Sequence, residues 1–162
     1  MMNPFLVLAL QCSFSLLIFW LILNWHVLPK TNRENKFDFL TIFLWINVFR
    51  YLPLSLFMPG QVSSDFPFYL KEAVAYGDFL SSIFALIALF FLRYKKTKAQ
   101  PMIWFFSIVS IADMILVLTL AMKEKVYLLD LGANFFTVSV YVPLLIVIQA
   151  LTLKILTSKA YA

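Results

Sequence analysis

Phe39-Leu40-Thr41-Ile42-Phe43-Leu44-Trp45-Ile46-Asn47-Val48-Phe49-Arg50-Tyr51-Leu52-Pro53-Leu54 is an apolar run broken by one arginine. About 20 residues of this kind cross the hydrocarbon core of a bilayer as a helix. An arginine or aspartate at the centre of such a helix costs about 2.5–3.5 kcal/mol on insertion scales, so Arg50 needs a partner or a purpose. Two other apolar runs each hold one aspartate, Asp78 and Asp113.

Working outward from this run, four more segments are long and apolar enough to span. The five cover residues 4–25, 37–58, 68–92, 101–122 and 134–156. The predicted fold is all-α: one domain over residues 1–162, a polytopic membrane bundle of five transmembrane helices. Of the 162 residues, 63% are hydrophobic. An ordinary soluble domain is about half apolar, so the excess points to contact with lipid. Nine of the thirteen Lys and Arg, namely Lys30, Arg33, Lys36, Arg93, Lys95, Lys96, Lys98, Lys154 and Lys159, fall on one side of the predicted membrane. Lys71, Lys123 and Lys125 fall on the other. All loops are short, the regime in which positive charge stays inside. The N-terminus is therefore expected outside and the C-terminus in the cytoplasm. Pro67, Lys71 and Glu72 suit an amphipathic turn at the outer surface, with the third span then beginning nearer Tyr76.

The composition excludes several chemistries. Cys12 is the one cysteine and His26 the one histidine, so neither an intrachain disulfide nor a multi-histidine metal or haem site can form. The first run lacks a positive n-region and a small-residue cleavage site, so it reads as a span and not a cleaved leader. Leu10-Gln11-Cys12 is a poor lipoprotein box because Gln11 is too large before the cysteine. No nucleophile with a neighbouring base and no glycine-rich phosphate loop is visible. No catalytic residue, metal site or cofactor is expected, and the protein is read as a non-enzyme. The net charge of +5 fits membrane orientation and anionic headgroups, not nucleic acid.

The candidate site is a polar layer. At about 1.5 Å per residue, Arg50 and Asp113 lie roughly 13–15 Å below the outer surface and Asp78 roughly 5–13 Å below it. Gln11 comes out near 12 Å and Tyr141 near 10 Å on the same rise, again as rough figures. Each of the five spans thus offers a polar side chain at a similar depth. Two carboxylates flanking one guanidinium would greatly lower the cost of burying all three, and a guanidinium has donors enough to bridge both. Contact between Arg50 and at least one of Asp78 and Asp113 is predicted. Asn47 lies one turn from Arg50, and Ser107, Ser110 and Asp113 form one stripe. Gln11 with Ser15, Asp78 with Ser82, and Thr137 with Tyr141 each share a helix face. The ligand-binding or ion-coupling set is therefore Arg50, Asp78, Asp113, Asn47, Gln11, Tyr141 and Ser110.

Gly77, Ser81 and Ala85 read as small-residue packing steps. Pro53 and Pro143 cannot donate to Phe49 and Ser139, so both should disturb their spans. Spans two plus three and four plus five read as a weak parallel repeat, with Gly77-Asp78-Phe79 answered by Gly132-Ala133-Asn134-Phe135 and the first span as an addition.

Val48-Phe49-Arg50, Pro59-Gly60-Gln61-Val62, Ala75-Tyr76-Gly77-Asp78, Ile111-Ala112-Asp113 and Tyr141-Val142-Pro143-Leu144-Leu145 together resemble a group of small, uncharacterised bacterial integral membrane proteins. The resemblance covers spans two to five. It implies a multi-pass protein of the bacterial inner membrane and brings no known activity. Three readings follow. The polar layer binds or passes a small solute, ion or proton; or it only locks a structural or accessory subunit; or Phe and Trp line a pocket for an apolar, lipid-like ligand. Expected partners are the bilayer, such a solute or ligand, and a second copy or another membrane subunit.

Overall fold

The computed structural model describes residues 3–31, 35–94 and 96–158, apart from the side chains of Lys96 and Thr97. Arg33, Lys95 and Lys159, three of the cations behind the expected orientation, lie outside the described residues. Every regular element described is helical. Five helices are long and apolar enough to cross a membrane: Pro4–Lys30, Lys36–Phe57, Phe68–Tyr94, Lys98–Lys123 and Asn134–Thr157. We number these spans one to five.

Span one starts cleanly because Pro4 fits the first turn and the Asn3 side chain accepts the Phe5 N–H at 3.0 Å. Span three is one unbroken helix from Phe68. The surface turn expected around Lys71 and Glu72 is therefore not a separate element. These two charges ride on the first turns of a continuous helix, where they still reach the bundle end. Span four begins before its predicted start, since helix resumes at Lys96 and accommodates Pro101. A proline so near a helix start removes a bond only from a carbonyl close to the exposed end.

Pro53 and Pro143 alter their helices as their chemistry demands. Span two is α-helical over Lys36–Val48 and then a 3-10 helix over Phe49–Phe57, with Pro53 inside. In three-residue turns, side chains three apart eclipse. Arg50, Pro53 and Leu56 accordingly form the buried face of that segment. In span five, a π-helical turn over Thr137–Tyr141 precedes Pro143, and the Val142 N–H bonds back to the Thr137 carbonyl. In that wider register the carbonyl of Val138 would look to residue 143, which is proline and has no N–H. The Cys12 thiol donates to that carbonyl instead, Sγ to O 3.6 Å.

Spans two to five form the bundle. Span three packs along spans two and four, and span five touches both of these as well. Span one leans on span five, and its most apolar stretch has no buried residue. The two ends of the bundle differ. Toward the Lys30 end, Leu40, Phe43, Leu44, Ala85, Ala88, Ile103, Phe106, Ile148 and Leu151 fill one large core. Toward the Gly60 end the buried core is a small group, Phe66, Leu70, Val126 and Leu131. There the two connecting segments are tied together: the Ser63 N–H donates to the Asp130 carbonyl at 2.9 Å. Gly132 has φ +51° and backs onto the Gln61 carbonyl, where any Cβ would collide.

Candidate functional site

Between the two cores sits Arg50, only 2% exposed. It stands at the junction where the α-register of span two gives way to the 3-10 register, so its side chain points into the bundle along the face shared with Pro53 and Leu56. Its Nε donates to Asp78 Oδ1 at 2.7 Å, and its Nη2 also lies 2.6 Å from that oxygen. Nη2 donates to Asp113 Oδ2 at 2.6 Å, and Nη1 donates to Ser110 Oγ. One guanidinium thus joins spans two, three and four. The sequence-based expectation asked for one acid partner; the structure brings both.

The two acids are held differently. Asp113 Oδ1 lies against Gly77, where a Cβ would collide with it. Gly77 therefore makes room for a carboxylate. The sequence had suggested only a small-residue packing step, and nothing in its spacing distinguishes the two roles. Asp78 engages Arg50 through Oδ1, while its Oδ2 has no hydrogen-bond partner among the described residues. The side chains are 15% exposed for Asp78 and 11% for Asp113.

Asp78 opens onto a cavity of about 100 Å³ toward the Gly60 end. Leu70, Val74 and Asp78 recur at four-residue spacing on its span-three wall, Val117 and Ala121 on its span-four wall, and Asn134, Val138 and Val142 on its span-five wall. Pro53 and Leu56 close it from span two, and Phe66, Val126 and Leu131 from the connecting segments. The walls are therefore largely aliphatic. Phe66 is the one aromatic side chain on these walls, whereas Trp45 and Phe90 border a separate groove on spans two and three. Phe14, Trp20, Trp25, Phe90 and Phe105 lie exposed on the outside of the bundle, where a lipid-facing surface places them. Asn134 is 6% exposed. Its Oδ1 accepts from Ser55 Oγ at 3.0 Å, and its Nδ2 has no partner among the described residues. In the sequence Asn134 opens the fifth span and stands in the weak repeat opposite Asp78, and that correspondence is the available signal.

The other predicted members lie apart from the guanidinium. Tyr141 donates its hydroxyl to the Ile46 carbonyl at 2.7 Å. An α-register would give that carbonyl the Arg50 N–H; the tighter register brings it the Phe49 N–H and leaves a lone pair for the tyrosine. Asn47 is buried, and its Nδ2 donates to the Phe43 carbonyl of its own helix at 2.8 Å, so it does not bond to Arg50. Gln11 is exposed on span one, in a groove with Ser15, Phe136 and Ser139. Its depth matches the layer, but span one lies outside the four-span bundle, so depth alone could not bring it in. One turn from Ser110, the Ser107 carbonyl accepts from Gln149 Nε2 at 3.4 Å, joining spans four and five below the charges. No group of His, Cys, Asp and Glu among the described residues could hold a metal ion.

Five helices long and apolar enough to cross a membrane, four of them bundled about an arginine that bridges two aspartates, are compatible with a multi-pass membrane protein. The family model for a domain of unknown function, DUF8737, matches residues 7–157. The match spans nearly the whole chain, and the chain belongs to that family. No curated protein and no solved structure matches it.

Proposed function

We propose that the protein is a non-catalytic, multi-pass protein of the bacterial inner membrane whose Arg50–Asp78–Asp113 cluster takes up a proton or a small cation. The observation that carries this reading is the charge balance of the cluster. One guanidinium faces two carboxylates, so with both acids ionised a site enclosed by helices holds one net negative charge. An added proton or monovalent cation brings it to neutrality, which matters in a medium where uncompensated charge is costly. Arg50 has Nε, Nη1 and Nη2 all engaged by protein groups. Its role is to poise the acids, since an anion would have to displace one of them. Asp78 is the exchanging group because its second oxygen is free and it lines the cavity, which neither Arg50 nor Asp113 does.

The distribution of Lys and Arg supports an outside N-terminus and a cytoplasmic C-terminus. In that orientation the cavity faces outward, and the dense core near Lys30 separates the cluster from the cytoplasm. A solute, ion or proton would then enter from outside.

A purely structural lock is favoured by one observation, the near-complete burial of an Arg50 whose three side-chain nitrogens are each hydrogen-bonded by its own chain. Proteoliposomes separate the two readings. Replace Arg50, Asp78 and Asp113 together by leucine, and follow both folding and proton uptake with a trapped pH dye. The site reading expects a folded triple variant that no longer moves or binds protons. A triple variant with wild-type uptake would overturn it.

A further inference from the structure

The cavity over Asp78 carries more information than the charge cluster alone, and the following rests on the cation-uptake reading above. Three features narrow its occupant. The first is size. A cavity of about 150 Å³ admits benzene, so the chamber of about 100 Å³ has room for roughly four or five non-hydrogen atoms. The second is the wall. Leu56, Leu70, Val74, Val117, Val138 and Val142 offer only aliphatic surface, which favours methylene and methyl groups over a hydrated metal ion. The third is a pair of unmet hydrogen-bonding groups of opposite kind. Asp78 Oδ2 is an acceptor beside the cluster's surplus negative charge, and Asn134, which also lines the chamber, holds in Nδ2 a buried donor without a partner among the described residues. A buried polar group left unpaired costs about 1–3 kcal/mol, so a hydrogen-bond acceptor supplied from outside the chain would be stabilised at Asn134.

We propose that the chamber binds a short amino alcohol in its protonated form. The ammonium group pairs with Asp78, the short aliphatic body contacts the valine and leucine walls, and the hydroxyl oxygen accepts from Asn134 Nδ2. An alkylammonium of the same size would satisfy Asp78 and leave Asn134 unmet. A diol would reach Asn134 but leave the negative charge of the cluster uncompensated. A quaternary ammonium with longer arms would not fit.

The probes are 1-amino-2-propanol, isobutylamine, 1,2-propanediol and tetraethylammonium, each titrated by calorimetry into purified protein in lipid nanodiscs. The expected order is amino alcohol first, isobutylamine about tenfold weaker for one lost buried hydrogen bond, and no measurable binding of the other two. Asn134→Ala should bring the amino alcohol down to the level of isobutylamine without changing isobutylamine itself. Ala121→Leu and Val74→Phe, which fill the chamber from two different spans, should each abolish amine binding while the variants still fold, as a thermal melt in the same nanodiscs reads. Amine binding that survives both filling variants would overturn the proposal. So would a wild-type protein that binds none of the four probes. If proton uptake persists in that wild-type protein, only the amino-alcohol assignment falls; if uptake is also missing, the cation-uptake reading falls with it.

Discussion

The bundle is built to two standards. Toward the Lys30 end, Ala85, Ala88, Ala99, Ile103 and Ile148 are completely enclosed in one continuous core. Toward the Gly60 end, the small cluster of Phe66, Leu70, Val126 and Leu131 joins Pro53, Leu56, Asn134 and a set of half-buried side chains around an open space. Arg50 lies where one regime meets the other. The difference shows how a short chain can keep a charge cluster inside a bilayer and still leave it reachable. The packed half fixes the positions of spans two, three and four, so the guanidinium meets both acids without adjustment. The open half leaves one oxygen of one acid uncovered. The asymmetry between Asp113, pressed against Gly77, and Asp78, facing the cavity, repeats at the scale of two residues what the halves show at the scale of the bundle.

Substitutions can break or sharpen this contrast. The largest effect is expected from Arg50→Leu, which strands two carboxylates between the halves. Removing one side of a buried ion pair costs about 3–5 kcal/mol, to be measured as the loss in unfolding free energy in detergent micelles. The triple leucine variant should recover most of it. A single variant no less stable than the triple would mean that the charges never met. Next come paired overpacking variants. Ala88→Leu in the dense core should destabilise by about 1–3 kcal/mol, whereas Ala121→Leu beside the cavity should cost well under about 1 kcal/mol, because space is waiting for it. Equal losses in the two would erase the distinction between the halves. Gly77→Ala should also cost about 1–3 kcal/mol, since its methyl group and the Asp113 carboxylate claim the same volume. Gly77→Ala combined with Asp113→Ala should cost no more than Asp113→Ala by itself if that collision is the whole cause. The smallest change belongs to Tyr141→Phe, which removes one bond to the Ile46 carbonyl. Interhelical hydrogen bonds in membranes average about 0.6 kcal/mol, and a thermal-melt comparison should place this variant close to wild type.

Much of this was readable from the chain. The five apolar runs fixed the spans to within a few residues, because hydrophobic length is a strong signal in a bilayer. The meeting of Arg50 with the acids followed from cost alone: three isolated charges in lipid are far dearer than three together. Ser110 came from its place one turn before Asp113. What could not be read is lateral arrangement. Gln11 has the right depth but sits on a helix outside the bundle, and depth carries no information about neighbours. Asn47 has the right face but satisfies its amino group on its own helix, a local option open to any asparagine in a span. The cavity depends on which side chains fail to meet, and no one-dimensional pattern records a gap. The prolines marked where the helices would change register. They did not show that the tighter turn in span two would line up Arg50, Pro53 and Leu56, or that the wider one in span five would hand a carbonyl to Cys12.

The most direct test uses magic-angle-spinning NMR on the protein in lipid bilayers, with nitrogen-15 in arginine and carbon-13 at the aspartate carboxyl. Dipolar dephasing from the Arg50 side-chain nitrogens should reach two carboxyl carbons. Asp78→Asn should remove one of these signals and Asp113→Asn the other. Dephasing of neither carboxyl carbon, or of one that survives both substitutions, would contradict the bridged cluster and everything built upon it.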